Sequence, residues 1–307
     1  MKKLLVLISG LILFSFCFAQ NVILDGVVFD AVTNQPLQYA TIEIFSLRTG
    51  TITDKNGEFK LELTPNDLES DTIEFSCLGY EREKITIAEY LNSGNHKVLL
   101  KEKPVTIGEV KVIPKKYTTS VLGVTDKKSE HLQYANVFGA NKGNFIYNNK
   151  SKPGWIKSVS YFIHPDGNPT TPFRVRIYAK ANNKKPGNDL LLENVVVSAK
   201  KPGWCEVDIS QFNVLFPTEG AFVMMEWINS GEGFYFEKEL QVKGKNGKPD
   251  RVEKKKYYGQ TLGTVSKKGG VAMWGNTLGN EWIPYDFDYR GNFVSAMIQV
   301  EIDFEKN

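Results

Sequence analysis

The sequence contains few of the residues that build disulfide frameworks and metal centres. Its 307 residues include only three cysteines and three histidines. Cys77 and Cys205 fall in different predicted strands, and the third cysteine, Cys17, lies in an apolar N-terminal run. We therefore expect two free thiols in the mature protein and no disulfide. None of the histidines stands in a His-Glu-x-x-His run, so a zinc hydrolase site is not predicted.

Signals of catalysis and of nucleic-acid binding are also missing. Lys and Arg number 38 against 35 Asp and Glu, and this near balance does not predict a nucleic-acid partner. The sequence has no glycine-rich phosphate loop, no nucleophile elbow and no Cys-x-x-Cys pair. We predict that the protein is not an enzyme and that it holds no cofactor.

A long apolar run occurs only at the N-terminus. Lys2 and Lys3 precede an apolar stretch over residues 4–18, and Cys17 and Ala19 are small residues before a cleavage site. This pattern predicts a secretory signal peptide over residues 1–19, because the run is short for a membrane span. A permanent N-terminal anchor is the alternative. No transmembrane segment is expected after cleavage, and export with scarce cysteine favours a bacterial envelope.

Residues 20–113 are predicted to form a first domain built of strands. Apolar and polar residues alternate in short segments such as 58–63, where the inward residues are Phe59, Leu61 and Leu63. Polar turns separate the segments, among them Asp30–Pro36 and Asp54–Gly57. Some seven strands with hardly any helical periodicity predict an all-β, Greek-key sandwich. The later predicted elements are the strands Thr72–Cys77, Lys84–Ile87 and Lys97–Leu100 and one helical turn at Ala88–Leu91.

Residues in this region resemble, in order and spacing, the carboxypeptidase-like regulatory domain, which has a transthyretin-like (prealbumin-like) sandwich. The resemblance covers about residues 22–112, and Ile107–Val112 is similar to the segment that closes this module in receptors. The matching positions are Gly26, Val28, Asp30, Thr33, Pro36, Leu37, Ala40, Gly50, Thr51, Thr53, Asp54, Gly57, Phe59, Leu78, Gly79 and Tyr80.

The resemblance implies a fold and a cellular location. The module is found beside metallocarboxypeptidase domains and at the N-terminus of TonB-linked outer-membrane receptors of Gram-negative bacteria. The roughly 190 residues that follow are too few for a transporter barrel. His96, His131 and His164 lack the spacing of carboxypeptidase zinc ligands. The resemblance therefore supplies no catalytic residue.

The rest of the chain is predicted as a polar linker, residues 114–144, and a second domain, residues 145–307. A short strand at Leu132–Phe138 interrupts the linker, and residues 238–256 form a charged hairpin. About eight alternating segments predict a jelly-roll-like β-sandwich, an architecture that carbohydrate-binding domains share. The tryptophans that begin or end predicted strands are expected in the core, and they are Trp155, Trp204 and Trp227.

Aromatic residues near the C-terminus are the main candidates for a binding site. Trp274, Trp282, Tyr285 and Tyr289 cluster in a Gly- and Asn-rich stretch. Flat aromatic faces stack on sugar rings, so this stretch predicts a glycan groove. The alternative is a satellite cluster that long loops fold beneath themselves.

Charged residues supply two further candidates. Arg174 and Arg176 share one face of a predicted strand, where they meet a carboxylate or an acidic group of a glycan, or are simply solvated. Asp286 and Asp288 resemble the start of a calcium loop, but Arg290 stands where such a loop carries an acid or an amide. Calcium is therefore an alternative to the absence of any metal.

Together these patterns predict an exported, non-catalytic protein of a Gram-negative envelope that serves in binding or structure. One alternative is carbohydrate binding by the second domain. Another is an accessory subunit of a peptidase or of an outer-membrane transport system. The expected partner is a glycan or another envelope protein.

Overall fold

The protein is nearly all β-structure. The structure is a computed structural model that describes residues 22–64, 71–103, 116–243, 249–268, 270–285 and 291–306. Within these ranges the chain forms 23 strands and one α-helix, α1 (Ile87–Asn92). Thr86 caps α1, since its hydroxyl accepts from the Glu89 amide and the Glu89 carboxylate accepts from the Thr86 amide. The predicted all-β fold class is confirmed, while the predicted signal peptide lies outside the described residues.

Seven strands lie in the described part of the first domain, which agrees with the predicted number. They are β1 (Val22–Asp30), β2 (Thr41–Ile44), β3 (Thr49–Ile52), β4 (Glu58–Leu63), β5 (Thr72–Ser76), β6 (Glu83–Thr86) and β7 (Lys97–Leu100). One sheet has the order β4-β1-β7 and the other the order β3-β2-β5-β6. Leu24, Val28, Ile42, Phe75 and Tyr90 are buried in the core of this domain. Burial of such apolar surface is the main force that holds a two-sheet sandwich together.

Residues of the family motif build the turns of this sandwich. Asp30 Oδ1 accepts hydrogen bonds from the amides of Val32 and Thr33, each at 2.7 Å. Asp30 Oδ2 accepts a hydrogen bond from the Tyr80 hydroxyl at 2.9 Å. The bonds from Thr33 and Tyr80 hold the pKa of the Asp30 carboxyl below its usual range. This carboxylate is therefore engaged in fixing a turn.

The second motif turn has the same physical basis. Asp54 Oδ1 accepts hydrogen bonds from the amides of Asn56, at 2.8 Å, and Glu58, at 3.0 Å. Gly57 has a φ of +76°, a left-handed conformation that glycine adopts without strain. Its α-carbon also approaches Pro36 and the Val28 carbonyl so closely that a Cβ would lie 2.9 Å from each. The motif thus encodes local backbone geometry.

Thr53 joins two loops of the first domain, and its replacement should destabilise that domain. The buried Thr53 hydroxyl accepts from the Ala40 amide and donates to the Leu37 carbonyl, both at 2.8 Å. Thr53→Val keeps the side-chain shape but removes both hydrogen bonds, so we expect the free energy of unfolding to fall by about 2–3 kcal/mol. Chemical denaturation measures this change. Thr118→Val, at an exposed position, is the control, and equal losses in the two variants would contradict this role for Thr53.

Sixteen described strands make the second domain. They are β8 (Tyr117–Gly123), β9 (His131–Ala135), β10 (Asn141–Tyr147), β11 (Gly154–Gly167), β12 (Phe173–Lys180), β13 (Pro186–Asp189), β14 (Val196–Val197), β15 (Gly203–Asp208), β16 (Leu215–Phe216), β17 (Gly220–Trp227), β18 (Tyr235–Lys243), β19 (Pro249–Lys267), β20 (Met273–Asn276), β21 (Ile283–Tyr285), β22 (Phe293–Ala296) and β23 (Ile298–Glu305).

These strands form two sheets that share one core. The seven-stranded sheet has the order β13-β12-β17-β10-β20-β21, with β14 paired to β12. The nine-stranded sheet has the order β18-β19-β11-β23-β8, with β15 and β16 on β11 and with β9 and β22 on β19. Side chains from both sheets fill the core, among them Val159, Val175, Val223, Trp227 and Val300. The second domain is therefore a β-sandwich, as the alternating segments predict.

Strands begin earlier in the chain than the sequence indicates. Residues 114–144 are predicted as a linker, yet β8 and β9 lie there and pair with β23 and β19 of the nine-stranded sheet. Most side chains of β8 are exposed on both faces of the strand, and this exposure hides the alternation that marks a half-buried strand. The short strand predicted at Leu132–Phe138 corresponds to β9.

Trp155 lies outside the core, contrary to the prediction. Its side chain is 42% exposed, whereas Ile156 and Val159 on the same strand are buried. The register of β11 against β23 shifts between Ile156 and Ser158. Because a bulge adds one residue, it moves every earlier side chain to the opposite face of the sheet.

The other two strand-end tryptophans differ from each other. Trp227 is in the core as expected, and its indole N–H donates to the Gln260 carbonyl at 2.8 Å. Trp204 is half-buried and meets Phe162 edge-on, with ring centroids 5.6 Å apart. The next residue, Cys205, packs against the core, whereas Trp204 does not. Successive strand residues face opposite ways, so the predicted core position of Trp204 is wrong.

The predicted hairpin around residues 238–256 is present as a two-stranded ribbon. Residues 235–242 of β18 pair with residues 251–258 of β19, and β18 is the last strand of its sheet. Where the ribbon joins the rest of the sheet, Tyr134 stacks on Tyr257 with ring centroids 4.5 Å apart. The ribbon is therefore anchored to the sheet at one end by aromatic packing.

Candidate binding surface on the second domain

The outer face of the seven-stranded sheet carries charged side chains at one end and aromatic side chains at the other. In antiparallel strands, directly opposed residues share a face. One row across β12, β17, β10 and β20 is Arg174, Glu226, Asn141 and Asn276. The next row is Arg176, Met224, Gly143 and Trp274, and the third is Tyr178, Phe222 and Phe145. The face therefore changes from charged to aromatic along the strands.

The charged rows form a buried ionic network. Glu226 accepts two hydrogen bonds from Arg174, each at 2.7 Å, and one from Arg176 at 3.0 Å. Arg176 is also paired with Asp189 at 2.8 Å. Burial alone would raise the pKa of the Glu226 carboxyl, but Arg174 and Arg176 outweigh it and hold that pKa below its usual range. The positive charges of two guanidinium groups are thus neutralised by the negative charges of two carboxylates.

The first domain docks on this charged half of the face. Arg174 Nη1 donates to the Tyr39 carbonyl at 2.8 Å, and the Gly279 amide donates to Glu43 Oε1 at 2.9 Å. A buried apolar cluster also joins the two domains, and its members are Tyr39, Ile52, Ile228 and Leu278. We call this contact the docking interface. Arg174 is only 1% exposed there, so its side chain has no route to an external ligand.

Aromatic side chains cover the other half of the face. Phe222 contacts Phe145 at 4.9 Å between ring centroids and Trp274 at 5.8 Å, and Tyr178 contacts Trp282 at 5.4 Å. Each pair has the edge-to-face geometry that aromatic rings favour. We call this surface the aromatic face, and its members are Phe145, Tyr147, Tyr178, Phe222, Trp274 and Trp282.

Rings at the edge of the aromatic face reach solvent. Three members are buried, and they are Phe145, Tyr178 and Phe222. Trp274 and Trp282 are half-buried. Tyr147 is 62% exposed and rests edge-on against Phe145 at 4.8 Å. The three buried rings form a rigid layer beneath the accessible ones, and we call this layer the aromatic floor. Accessible rings on such a layer suit the stacking of a flat apolar surface.

The predicted aromatic site residues separate into two groups. Trp274 and Trp282 lie together on the aromatic face, but Tyr285 packs against the core on the opposite side of the sheet. There Lys142 lies 5.4 Å from the Tyr285 ring centroid, and burial lowers the pKa of the Lys142 amine to about 8. Tyr289 lies outside the described residues. The structure therefore places two of the four predicted aromatics in one surface.

Arg174 and Arg176 are used inside the protein. Contact with a carboxylate, contact with a glycan acid and simple solvation are the predicted roles. The structure pairs both side chains with carboxylates of the protein itself, in the ionic network beside the docking interface. Four members of the aromatic face are absent from the predicted site, namely Phe145, Tyr147, Tyr178 and Phe222. The Phe-x-Tyr spacing on β10 is a signal for two of them, since it puts both rings on one face of a strand.

No metal site or membrane span is found in the described part of the chain. Among those residues, no group of three or more His, Cys, Asp and Glu side chains is arranged to hold a metal ion. The calcium-like stretch Asp286–Arg290 lies outside them. Within the same residues, no helix has the length and hydropathy needed to cross a membrane. Cys77 and Cys205 are free thiols, as predicted.

Comparisons with known proteins identify the first domain. The chain is 35% identical, over 112 residues, to the TonB-dependent receptor SusC of Bacteroides thetaiotaomicron. That match covers 36% of this chain and 10% of the receptor, so the chain spans about a tenth of the receptor's length. Residues 24–112 match the family profile of the CarboxypepD_reg-like domain. The resemblance seen in the sequence is thus confirmed, and residues 24–112 are a CarboxypepD_reg-like domain.

Proposed function

We propose that this protein is an exported, non-catalytic component of a Gram-negative cell envelope that acts by binding. The match to part of a TonB-dependent receptor supports the envelope location. The charged N-terminal residues and the apolar run after them support export. In this proposal the first domain is a docking module, and the second domain carries the recognition surface.

The use of the motif residues supports a non-catalytic role. Asp30 and Asp54 accept hydrogen bonds from turn amides, and Thr53 bridges two loops. A general acid or base needs a proton-transfer group within reach of a substrate. These side chains are instead occupied in holding the backbone.

A second, more specific candidate is glycan binding through the aromatic face. The observation that favours it is the pair of half-buried tryptophans, Trp274 and Trp282, on a rigid aromatic floor beside exposed Tyr147. Such rings offer flat apolar area at low entropic cost, since their rotamers are already fixed by packing. A protein partner from the envelope is the alternative ligand.

A glycan array tests this candidate directly. We expect the intact protein to bind at least one glycan class, and we expect Trp274→Ala and Trp282→Ala each to weaken binding about tenfold, a change of ~1.4 kcal/mol. Trp155→Ala is the matched control, because Trp155 is 42% exposed on the other sheet. Equal losses in all three variants, or no binding to any glycan, would contradict a glycan site on the aromatic face.

The wider proposal is tested by cell fractionation and by activity assays. We expect the protein in the envelope fraction, and we expect no turnover of peptide or glycoside substrates by the purified chain. Robust turnover that is abolished by replacing one acid or one histidine would overturn the non-catalytic assignment. Recovery of the chain in the cytoplasm would overturn the export assignment.

A further inference from the structure

We propose that the ligand of the aromatic face is an anionic polysaccharide, one whose sugar rings carry carboxylate groups. The proposal rests on the proposed glycan-binding function and adds the charge of the sugar. Side chains at the edge of the aromatic face support it, because they include exposed amines beside accessible rings.

Lysine side chains stand at two places around the aromatic face. Lys180 is exposed and lies with its Nζ 5.0 Å from the centroid of the Phe145 ring, so its amine is above the aromatic floor. The turn that follows β12 adds Lys184 and Lys185. Lys185 is paired at 2.7 Å with Glu281. Of these three lysines, Lys180 is the one whose amine lies against the aromatic face, and exposed Lys184 adds a second positive charge in the turn.

The acidic groups near these lysines do not cancel their charge. Asp189 and Glu226 are paired with the two arginines of the ionic network, so these carboxylates serve the protein interior. Glu219, exposed in the turn before β17, adds one negative charge against the two of Lys180 and Lys184. A ligand carboxylate bound by the Lys180 amine would gain a charge-assisted hydrogen bond while its ring stacks on an aromatic side chain.

Gly220 packs closely against the neighbouring strand β10 beside Tyr147. Gly220 belongs to β17, the strand between β10 and β12, and lies directly opposite Tyr147 of β10. Gly220 has a φ of +110°, and a Cβ on it would overlap the Ile146 carbonyl oxygen, so only glycine fits. The buried backbone of Gly220 therefore adds no side chain between exposed Tyr147 on β10 and the Lys180 end of β12.

A matched pair of polymers separates charge from sugar recognition. Polygalacturonate and its fully methyl-esterified form share one backbone and differ in the carboxylate charge. We expect titration calorimetry of the full chain to show binding of polygalacturonate at least about tenfold tighter than of the ester, since each charged hydrogen bond lost has an effect of that order. Polyglutamate, a polyanion without sugar rings, should not bind measurably.

Two variants and a control assign the effect to named side chains. Lys180→Gln should remove most of the preference for the acid form, and Tyr147→Ala should weaken binding of both forms. Lys255→Gln, on the exposed ribbon, should change neither. Both tested side chains of the aromatic edge are exposed, so the variants should fold, and unchanged thermal unfolding confirms that they do.

The remaining outcomes each overturn a defined part of the proposal. Equal binding of the acid and the ester overturns the inference about charge and leaves glycan binding intact. Binding of polyglutamate as tight as that of polygalacturonate overturns sugar recognition as well. Failure to bind polygalacturonate overturns the inference, while neutral glycans on the array decide the proposed glycan-binding function separately.

Discussion

Glu226→Gln should lower the free energy of unfolding by about 3–5 kcal/mol, the largest effect expected from one polar substitution in this chain. The variant keeps the size of the side chain and removes the charge that Arg174 and Arg176 share. Two buried guanidinium groups then face Asp189 as their single acidic partner in the network. A buried charge without a full counter-charge is strongly destabilising, because water cannot reach it.

Chemical denaturation of the full chain measures this effect, with Glu239→Gln as the control. The Glu239 side chain is 68% exposed, and its carboxylate lies 4.0 Å from the Lys254 amine on the ribbon. An exposed pair of this kind contributes less than about 1 kcal/mol. Similar losses in the two variants would show that the network adds no more to stability than a surface ion pair.

The same network has a definite pH dependence. The pKa of Glu226 is lower in the folded protein than its usual value of about 4.3. A lowered folded pKa means that the stabilisation is present above pH ~4.3 and is lost as the pH falls through the folded pKa. The stability difference between the unmodified chain and Glu226→Gln should therefore shrink in acid. A difference that stays constant from neutral pH down to acid unfolding would be inconsistent with this role of the Glu226 charge.

Gly279→Ala should release the first domain from the second. Gly279 has a φ of +71°, and a Cβ there would overlap the Thr49 amide nitrogen and lie 2.6 Å from the Thr49 carbonyl oxygen. Both atoms belong to the backbone of β3, so neither can rotate away. We expect a loss of about 2–3 kcal/mol from the left-handed conformation and the overlap together. Hydrogen exchange should then speed up across Thr49–Thr53.

Gly94→Ala is the matched control for the backbone contribution. Gly94 also has a positive φ, +58°, but a Cβ there would meet no atom within 4 Å. The substitution should therefore cost about 1 kcal/mol and leave exchange at Thr49–Thr53 unchanged. Faster exchange at Thr49–Thr53 in both variants, or in neither, would contradict a tightly packed docking interface.

The fold of the first domain is predictable because its signals are local. Alternation in β4 and the polar turns at Asp30 and Asp54 each depend on residues a few positions apart. The predicted helical turn is α1, whose cap also depends on neighbours, Thr86 and Glu89. Where the physical cause lies within one turn or one strand, the sequence is sufficient.

The candidate site is less predictable because it depends on long-range register. The alternation of β12 correctly places Arg174 and Arg176 on one face, but it carries no sign that another domain covers that face. Tyr285 and Trp282 are three residues apart, yet the alternation of an extended chain turns them to opposite sides of the sheet. Trp155 is misplaced because the bulge in β11 contains no glycine or proline to mark it.

Hydroxyl-radical footprinting with and without the strongest ligand from the glycan array tests the central claim most directly, because it reports the exposure of individual aromatic side chains. The central claim is that recognition occurs on the aromatic face. We predict slower oxidation of Tyr147, Trp274 and Trp282 in the complex, with Trp155 unchanged. Protection of Trp155 alone, or a bound glycan that leaves Tyr147 and Trp282 as reactive as before, would contradict it.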